Sequence, residues 1–372
     1  MKNILAFIKK EAVLTVAFVA ALVSAFFVPP SAAWLAYIDF PVLILLFCLM
    51  AVVAGLSRLG VFDWLARRLL LASRSVRGLC FLLVLLCFFS SMVITNDVAL
   101  LTFVPFTIYV LTLLRQRRNL IYTVTLETVA ANLGSACTPV GNPQNLYLYA
   151  QYHMSAGEFF SITIPLTLVG LITVSLLCLL IHQRTIAVHS DAPHFTGDRK
   201  KLIIYLLLFV LCLTAVFHVL PHVILLGIVL VVLLLVDRSA LRQVDYFLLL
   251  TFICFFVFVG NVKAIPAVHS AVSALVAGRE YLCAVLFSQV ISNVPAAVML
   301  SAFTDHASAL LAGTNIGGLG TLIGSLASLI SFRLYSASRD ARPRRYLLTF
   351  SIVNFSLLLL FTVAFGLIFQ LF

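Results

Sequence analysis

Residues 132–145 read "NLGSACTPVGNPQN", and residues 315–328 read "NIGGLGTLIGSLAS". The two runs align without gaps: Asn132/Asn315, Gly134/Gly317, Thr138/Thr321 and Gly141/Gly324 coincide. Both sit within long apolar stretches. Gly134 to Gly141, with Pro139 inside, and Gly317 to Gly324 do not remain regular helix cheaply, so each run predicts an interrupted helix. Close packing through small residues is the plainer account of such glycines. Asn132, Asn142, Gln144 and Asn145, however, add polar groups that packing does not need.

Two further matches keep the same order. "SMVITN" (91–96) aligns on "SQVISN" (288–293), and "DFPVLILLFC" (39–48) aligns on "DYFLLLTFIC" (245–254). Three ordered matches read as an internal duplication, which is to be settled before any other feature of the chain.

Composition sets the solvent. Of 372 residues, 63% are hydrophobic and 10% charged, whereas a soluble domain carries about 25% charged residues. Apolar runs recur at the length needed to cross a ~30 Å hydrocarbon core. They are 12–28, 40–57, 120–152 (interrupted), 158–182, 202–218, 222–236, 245–261, 306–335 (interrupted) and 346–371. The chain is predicted to be an all-α polytopic membrane protein. The alternating ten-residue segments of an outer-membrane barrel are absent from the sequence.

A net charge of +11 would suit nucleic acid, but its distribution does not. Basic residues cluster in short connections: Lys2, Lys9 and Lys10; Arg58 to Arg77; Arg115, Arg117 and Arg118; Arg184 to Lys201; Arg238 and Arg242; Arg333 to Arg345. Such clusters mark cytoplasmic loops. The eight Cys form no C-x-x-C pair and read as small buried hydrophobes. His218 and His222 have metal spacing, but Pro221 breaks the helix such a pair needs. No Walker A motif occurs, and the polar connector His189–Lys200 is too short for a soluble domain. The apolar N-terminal run reads as an uncleaved first helix because many spans follow it.

Residues 79–114 would extend about 54 Å as one helix, nearly twice the hydrocarbon core. Arginines flank both ends, and Thr95–Asp97 is the polar interruption, so the segment predicts a hairpin turning there. Residues 281–303 predict a second hairpin from the opposite side, with its tip at Ser292–Asn293. All Lys and Arg except Lys263 and Arg279 then fall on the cytoplasmic side. An odd number of crossings separates Asp39 from Asp245, which makes the repeats inverted. Inverted repeats with interrupted helices are a secondary-transporter design, with substrate and ion sites at the membrane midplane.

The expected organisation is a first transmembrane helix in 1–38 and repeat 1 in 39–182, with hairpin 79–114 and interrupted helix 120–152. A linker and two connecting helices fill 183–244. Repeat 2 is 245–372, with hairpin 281–303 and interrupted helix 306–335. The N-terminus is expected in the cytoplasm and the C-terminus in the periplasm of a bacterial inner membrane.

The chemistry is expected where tips and breaks meet. Half-helix N-termini carry positive partial charge and free N–H groups, which suit an anion. Backbone carbonyls and Asn, Ser and Thr oxygens suit a hard cation such as sodium. No Lys or Arg falls in the interior of a predicted span (Arg333 stands at the end of 306–335), so helix dipoles, amides and a co-bound cation or proton must balance an anion. The candidate binding residues are Thr95, Asn96, Asp97, Asn132, Gly134, Thr138, Gly141, Asn142, Asn145, Ser292, Asn293, Asn315, Gly317, Thr321, Gly324 and Ser325. Asp97 and Glu127 are the acids placed inside spans, where a carboxylate is a functional candidate by default. Structural roles compete with that assignment: an N-cap for Asp97 and a helix-packing hydrogen bond for Glu127.

"ITNDVAL" and "QVISNVP", with the two glycine-rich runs, resemble the ion transporter superfamily. It holds arsenite permeases, citrate and divalent-anion/sodium symporters, and sodium/proton antiporters. Within it the chain is most similar to the YbiR-like inner-membrane proteins, a branch of anion permeases, from about residue 39 onward. The resemblance implies a homodimer with a scaffold part and a transport part that moves as an elevator. It also implies a Ser-Asn-Thr motif on each tip that binds substrate and helps ligate sodium. Thr95 and Ser292 match its first position, and Asn96 and Asn293 its middle, so these four are the candidate sodium ligands. The third position departs, with Asp97 and Val294 in place of threonine, so a dicarboxylate substrate does not follow from the motif.

The expected function is secondary active transport of a small anion, carboxylate or inorganic oxyanion, coupled to protons or sodium. A sodium/proton antiporter using Asp97 is the alternative. No resident cofactor is expected beyond the co-transported ion, and the expected partners are the anion, membrane lipid and a second copy of the chain. An intramembrane enzyme would need a nucleophile–base pair, which the sequence does not offer. A channel would not need the duplication or the broken helices.

Overall fold

The computed structural model describes residues 11–61, 64, 73, 75–185, 198–338 and 341–370. Lys2, Lys9, Lys10, Arg67, Arg68, Arg74, Arg339 and most of the connector 189–200 lie outside them. Among the described residues the chain is helical, with one isolated bridge, Ser75 to Thr185, and no strand.

In chain order the helices are α1 Ala12–Ala25, α2 Ala33–Tyr37, α3 Phe40–Arg58, α4 Val76–Ile94, α5 Asn96–Leu113 and α6 Arg117–Ser135. A 3-10 turn, Pro139–Gly141, leads to α7 Pro143–Gln151, α8 Ala156–Cys178, α9 Arg199–Val216, α10 His222–Val236, α11 Arg238–Leu241 and α12 Tyr246–Lys263. The rest are α13 Pro266–Val276, α14 Glu280–Ile291, α15 Asn293–Leu300, α16 Ala307–Gly317, α17 Leu326–Ser336 and α18 Pro343–Ile368. By length and apolarity α3, α4, α5, α8, α12 and α18 are each long enough to cross a membrane. The protein is multi-pass.

Local chemistry repeats between the two copies. Asp39 accepts a hydrogen bond from the Val42 N–H at 3.0 Å, and Asp245 from the Leu248 N–H at 2.9 Å. These N-caps satisfy a donor that the first turn leaves free, and they start α3 and α12 at matched positions.

The 23 residues of α8 extend about 35 Å and supply a ruler. Just before it, the Tyr152 hydroxyl donates to Thr304 O at 2.7 Å. Thr304 lies 3.5 Å from Glu280, so both ends of the α14–α15 segment meet there. Just after α8, Ile181 O accepts from Arg77 Nε at 2.9 Å, Arg184 O from the Val76 N–H at 2.8 Å, and His182 O from Asn119 Nδ2 at 3.3 Å. The α4–α5 segment therefore opens at the opposite end of α8. Both segments are hairpins, entered from opposite ends as an inverted repeat requires. The arms of the second have 12 and 8 residues, about 18 and 12 Å, each shorter than a ~30 Å hydrocarbon core.

The pairing between copies is reciprocal. In each, the first hairpin arm packs on the helix before the break (α4 on α6, α14 on α16). The second arm crosses to the other copy: α5 packs on α17, and α15 on α7. Reciprocal contacts are what a two-fold relation produces.

One element differs from the sequence reading. Residues 262–280, read as an outside connection, contain α13, which meets α14 at a bend of 108°. Pro266 starts this helix. Its eleven residues, broken by His269, Ser270 and Ser273, are too short and too polar to register as a span.

Candidate functional site

Each hairpin turns on a single residue. Thr95 has φ 71° and ψ 152°, and Ser292 has φ 76° and ψ 154°. This backbone region is essentially reserved for glycine and costs a side-chain-bearing residue about 1–3 kcal/mol. Both copies place a hydroxyl residue there, and the helix starts at the following asparagine.

A threonine then ties each break to its tip. Thr138 Oγ1 donates to Met92 O at 2.5 Å and accepts from the Gly141 N–H at 3.1 Å. Thr321 Oγ1 donates to Gln289 O at 2.9 Å and accepts from the Gly324 N–H at 3.0 Å. Met92 and Gln289 are themselves matched positions. Gly134 and Gly317 let the chains cross closely: an added Cβ would stand 2.1 Å from Phe88 O in one copy and 2.5 Å from Ser288 Cβ in the other.

A buried amide network joins the parts. Asn96 Nδ2 donates to Asn132 Oδ1 at 3.1 Å, and Ser325 Oγ donates to the same oxygen at 2.9 Å. Asn132 Nδ2 reaches Gly318 O at 3.2 Å and Ser328 Oγ at 3.4 Å. Asn315 Nδ2 donates to Asn145 Oδ1 at 2.7 Å. Positions 145 and 328 are equivalent, so each leading asparagine bonds the last residue of the other copy's loop. Asn293 is buried, and its N–H donates to Gly324 O at 3.0 Å. Asn142 Nδ2 donates to Ser135 Oγ at 2.7 Å.

The two acids differ. Asp97 is the second residue of α5, and its N–H donates to Asn96 Oδ1 at 2.9 Å. Thr95 holds the N-cap position, so Asp97 does not cap, and its half-buried carboxylate has no hydrogen-bond partner among the described residues. Glu127 is fully buried on α6, where Oε1 accepts from Thr107 Oγ1 at 2.5 Å and Oε2 has no partner among the described residues. It stands against the hairpin arm, apart from the amide network.

Several carbonyls expected to be open to a cation are already taken. Asn145 Nδ2 donates to Ser135 O, Ala136 O and Thr138 O at 3.2–3.4 Å. Gln289 Nε2 lies 2.8 Å from Gly317 O and 3.0 Å from Leu319 O, while its Oε1 accepts from the Thr321 N–H at 2.8 Å. Among the described residues, the buried side-chain atoms here without a partner are Asn142 Oδ1, Asn315 Oδ1, and both Oε1 and Nε2 of Gln144. An unpartnered buried polar group costs about 1–3 kcal/mol and so points to water, a proton or a ligand in the working protein. Gln144 and Gln289 were not among the expected site residues. The signal for Gln289 was present, since it is a polar residue where the first copy has Met92.

The sequence model of the citrate transporter family matches residues 4–313. The chain is 34% identical over 311 residues to the "uncharacterized transporter MJ0456" of Methanocaldococcus jannaschii, covering 83% of this chain and 84% of that one. It is 33% identical over 323 residues to the inner membrane protein YbiR of Escherichia coli, covering 84% and 85%. A shorter match, 33% over 169 residues, covers 45% of this chain and 34% of the silicon efflux transporter LSI3 of rice, Oryza sativa subsp. japonica.

Proposed function

Because the chain belongs to the citrate transporter family, we propose that it is a secondary active transporter of a small anion. The anion is a carboxylate or inorganic oxyanion, and its movement is coupled to protons or sodium. The family's name supports the carboxylate part of that class. The observation that carries the reading is the unpartnered polar atoms of Asn142, Gln144 and Asn315, buried where two hairpins and two helix breaks converge. Residues Thr95, Asn96, Asp97, Ser292 and Asn293 line the tips. Asn132, Thr138, Asn145, Thr321 and Ser325, with the loop glycines, hold the breaks against them.

Half-helix N-termini at α5, α7 and α15 offer N–H groups and positive partial charge to an anion. Asp97 supplies the charge that must be neutralised in step with it, by a proton or by sodium held at Thr95, Asn96, Ser292 and Asn293. In this reading α4–α8 and α14–α18 move as the transport part against a scaffold of the remaining helices, in a homodimer. The membrane is a bacterial inner membrane, with the N-terminus cytoplasmic and the C-terminus periplasmic.

Counterflow in proteoliposomes tests this. Purified protein with internal unlabelled citrate, sulfate or silicate should accumulate the matching external tracer transiently for at least one of them. Sodium/proton exchange with no anion movement would favour the antiporter alternative, for which the partnerless Asp97 carboxylate is the structural support.

A further inference from the structure

Away from the amide network, a cavity of about 1420 Å³ lies where the ends of α5, α6, α8, α17 and α18 meet. It exceeds the ~300–1,000 Å³ of small-molecule sites. Along α5 it runs from Leu113 up to Pro105, about 12 Å at 1.5 Å per residue. Its walls are largely apolar, and Tyr109, Leu113, Leu180 and Leu348 in the lining are each more than 60% exposed. Exposed leucines in a membrane protein face acyl chains, so the cavity opens sideways into hydrocarbon.

Its charged end carries Arg77, Arg342 and Arg345. Arg77 Nε donates to Ile181 O, and none of the three guanidinium groups meets a carboxylate among the described residues. Among the described residues no acid is in the lining. An apolar slot open to lipid, closed at one end by guanidinium groups that meet no carboxylate among the described residues, is complementary to an anionic amphiphile. We propose that this cavity is a binding site for one anionic phospholipid of the cytoplasmic leaflet. Its phosphate lies at Arg77, Arg342 and Arg345, and its acyl chains lie along α5 and α18. Arginine suits the role because its planar fork meets phosphate oxygens in pairs. Basic pockets between transmembrane helices on the cytoplasmic side recognise anionic headgroups.

Native mass spectrometry of the whole protein in detergent tests this, with dioleoyl phosphatidylglycerol or phosphatidylcholine added at equal mole fraction, or inorganic phosphate alone. The wild type should retain phosphatidylglycerol over phosphatidylcholine and should bind no phosphate. Arg342→Ala and Arg345→Ala should each weaken retention by roughly fivefold, the order expected for one basic residue at an anionic surface. Arg344→Ala, an exposed neighbour outside the lining, should leave it unchanged. Equal retention of the two lipids, unchanged retention in both Arg342→Ala and Arg345→Ala, or a phosphate adduct that competes with the lipid preference would each overturn the proposal.

Discussion

Asp97 shows how a single residue departs from its surroundings for a physical reason. A carboxylate in an apolar run is costly unless something neutralises it, and among the described residues neither a cap nor a cation does so here. An ionised Asp97 beside a bound anion would repel it. Anion binding is therefore expected to need a proton on Asp97 or sodium beside it. Asp97→Asn should leave tracer exchange measurable and abolish accumulation driven by an ion gradient. Gradient-driven accumulation with unchanged pH and sodium dependence would remove Asp97 from the coupling role. The sequence exposed this residue because it breaks an apolar pattern. It did not expose Gln289's role, because the carbonyls that amide holds lie about thirty residues away in a loop whose path only the fold defines.

At the scale of elements, the hairpins carry the argument. Their tips were legible as "ITND" and "ISNV", and the breaks as glycine and proline in apolar runs, because polar atoms and backbone freedom are rare there and stand out. The strained backbone at Thr95 and Ser292 was not legible, since nothing in a hydroxyl residue announces a glycine-only conformation. Helix α13 was missed for the opposite reason: it is too short and too polar to leave a hydropathy signal. Hairpin orientation makes a direct prediction. Single cysteines at positions 77 and 118, in a background without the native Cys, should be labelled from the cytoplasm, and one at 279 from outside. Labelling of 77 and 118 from different faces would remove the first hairpin and with it the inverted relation.

For the whole molecule, the two copies exchange parts. Each copy's second hairpin arm and leading asparagine find partners in the other copy, so the proposed site draws on both halves. It is the central claim that the tips close on the breaks to hold substrate. Asn96 bonds Asn132 on the break of its own copy through its side chain, and Asn293 bonds Gly324 through its N–H, so the two side chains have different structural burdens. Counterflow of the anion that the wild type carries, measured for Asn96→Ala and Asn293→Ala after each is shown to be folded and monodisperse in detergent, tests the claim most directly. The account predicts that both variants lose exchange by at least tenfold, the effect of removing about 1.4 kcal/mol of binding. Near-normal exchange by both would contradict it and reduce the tips to structural caps.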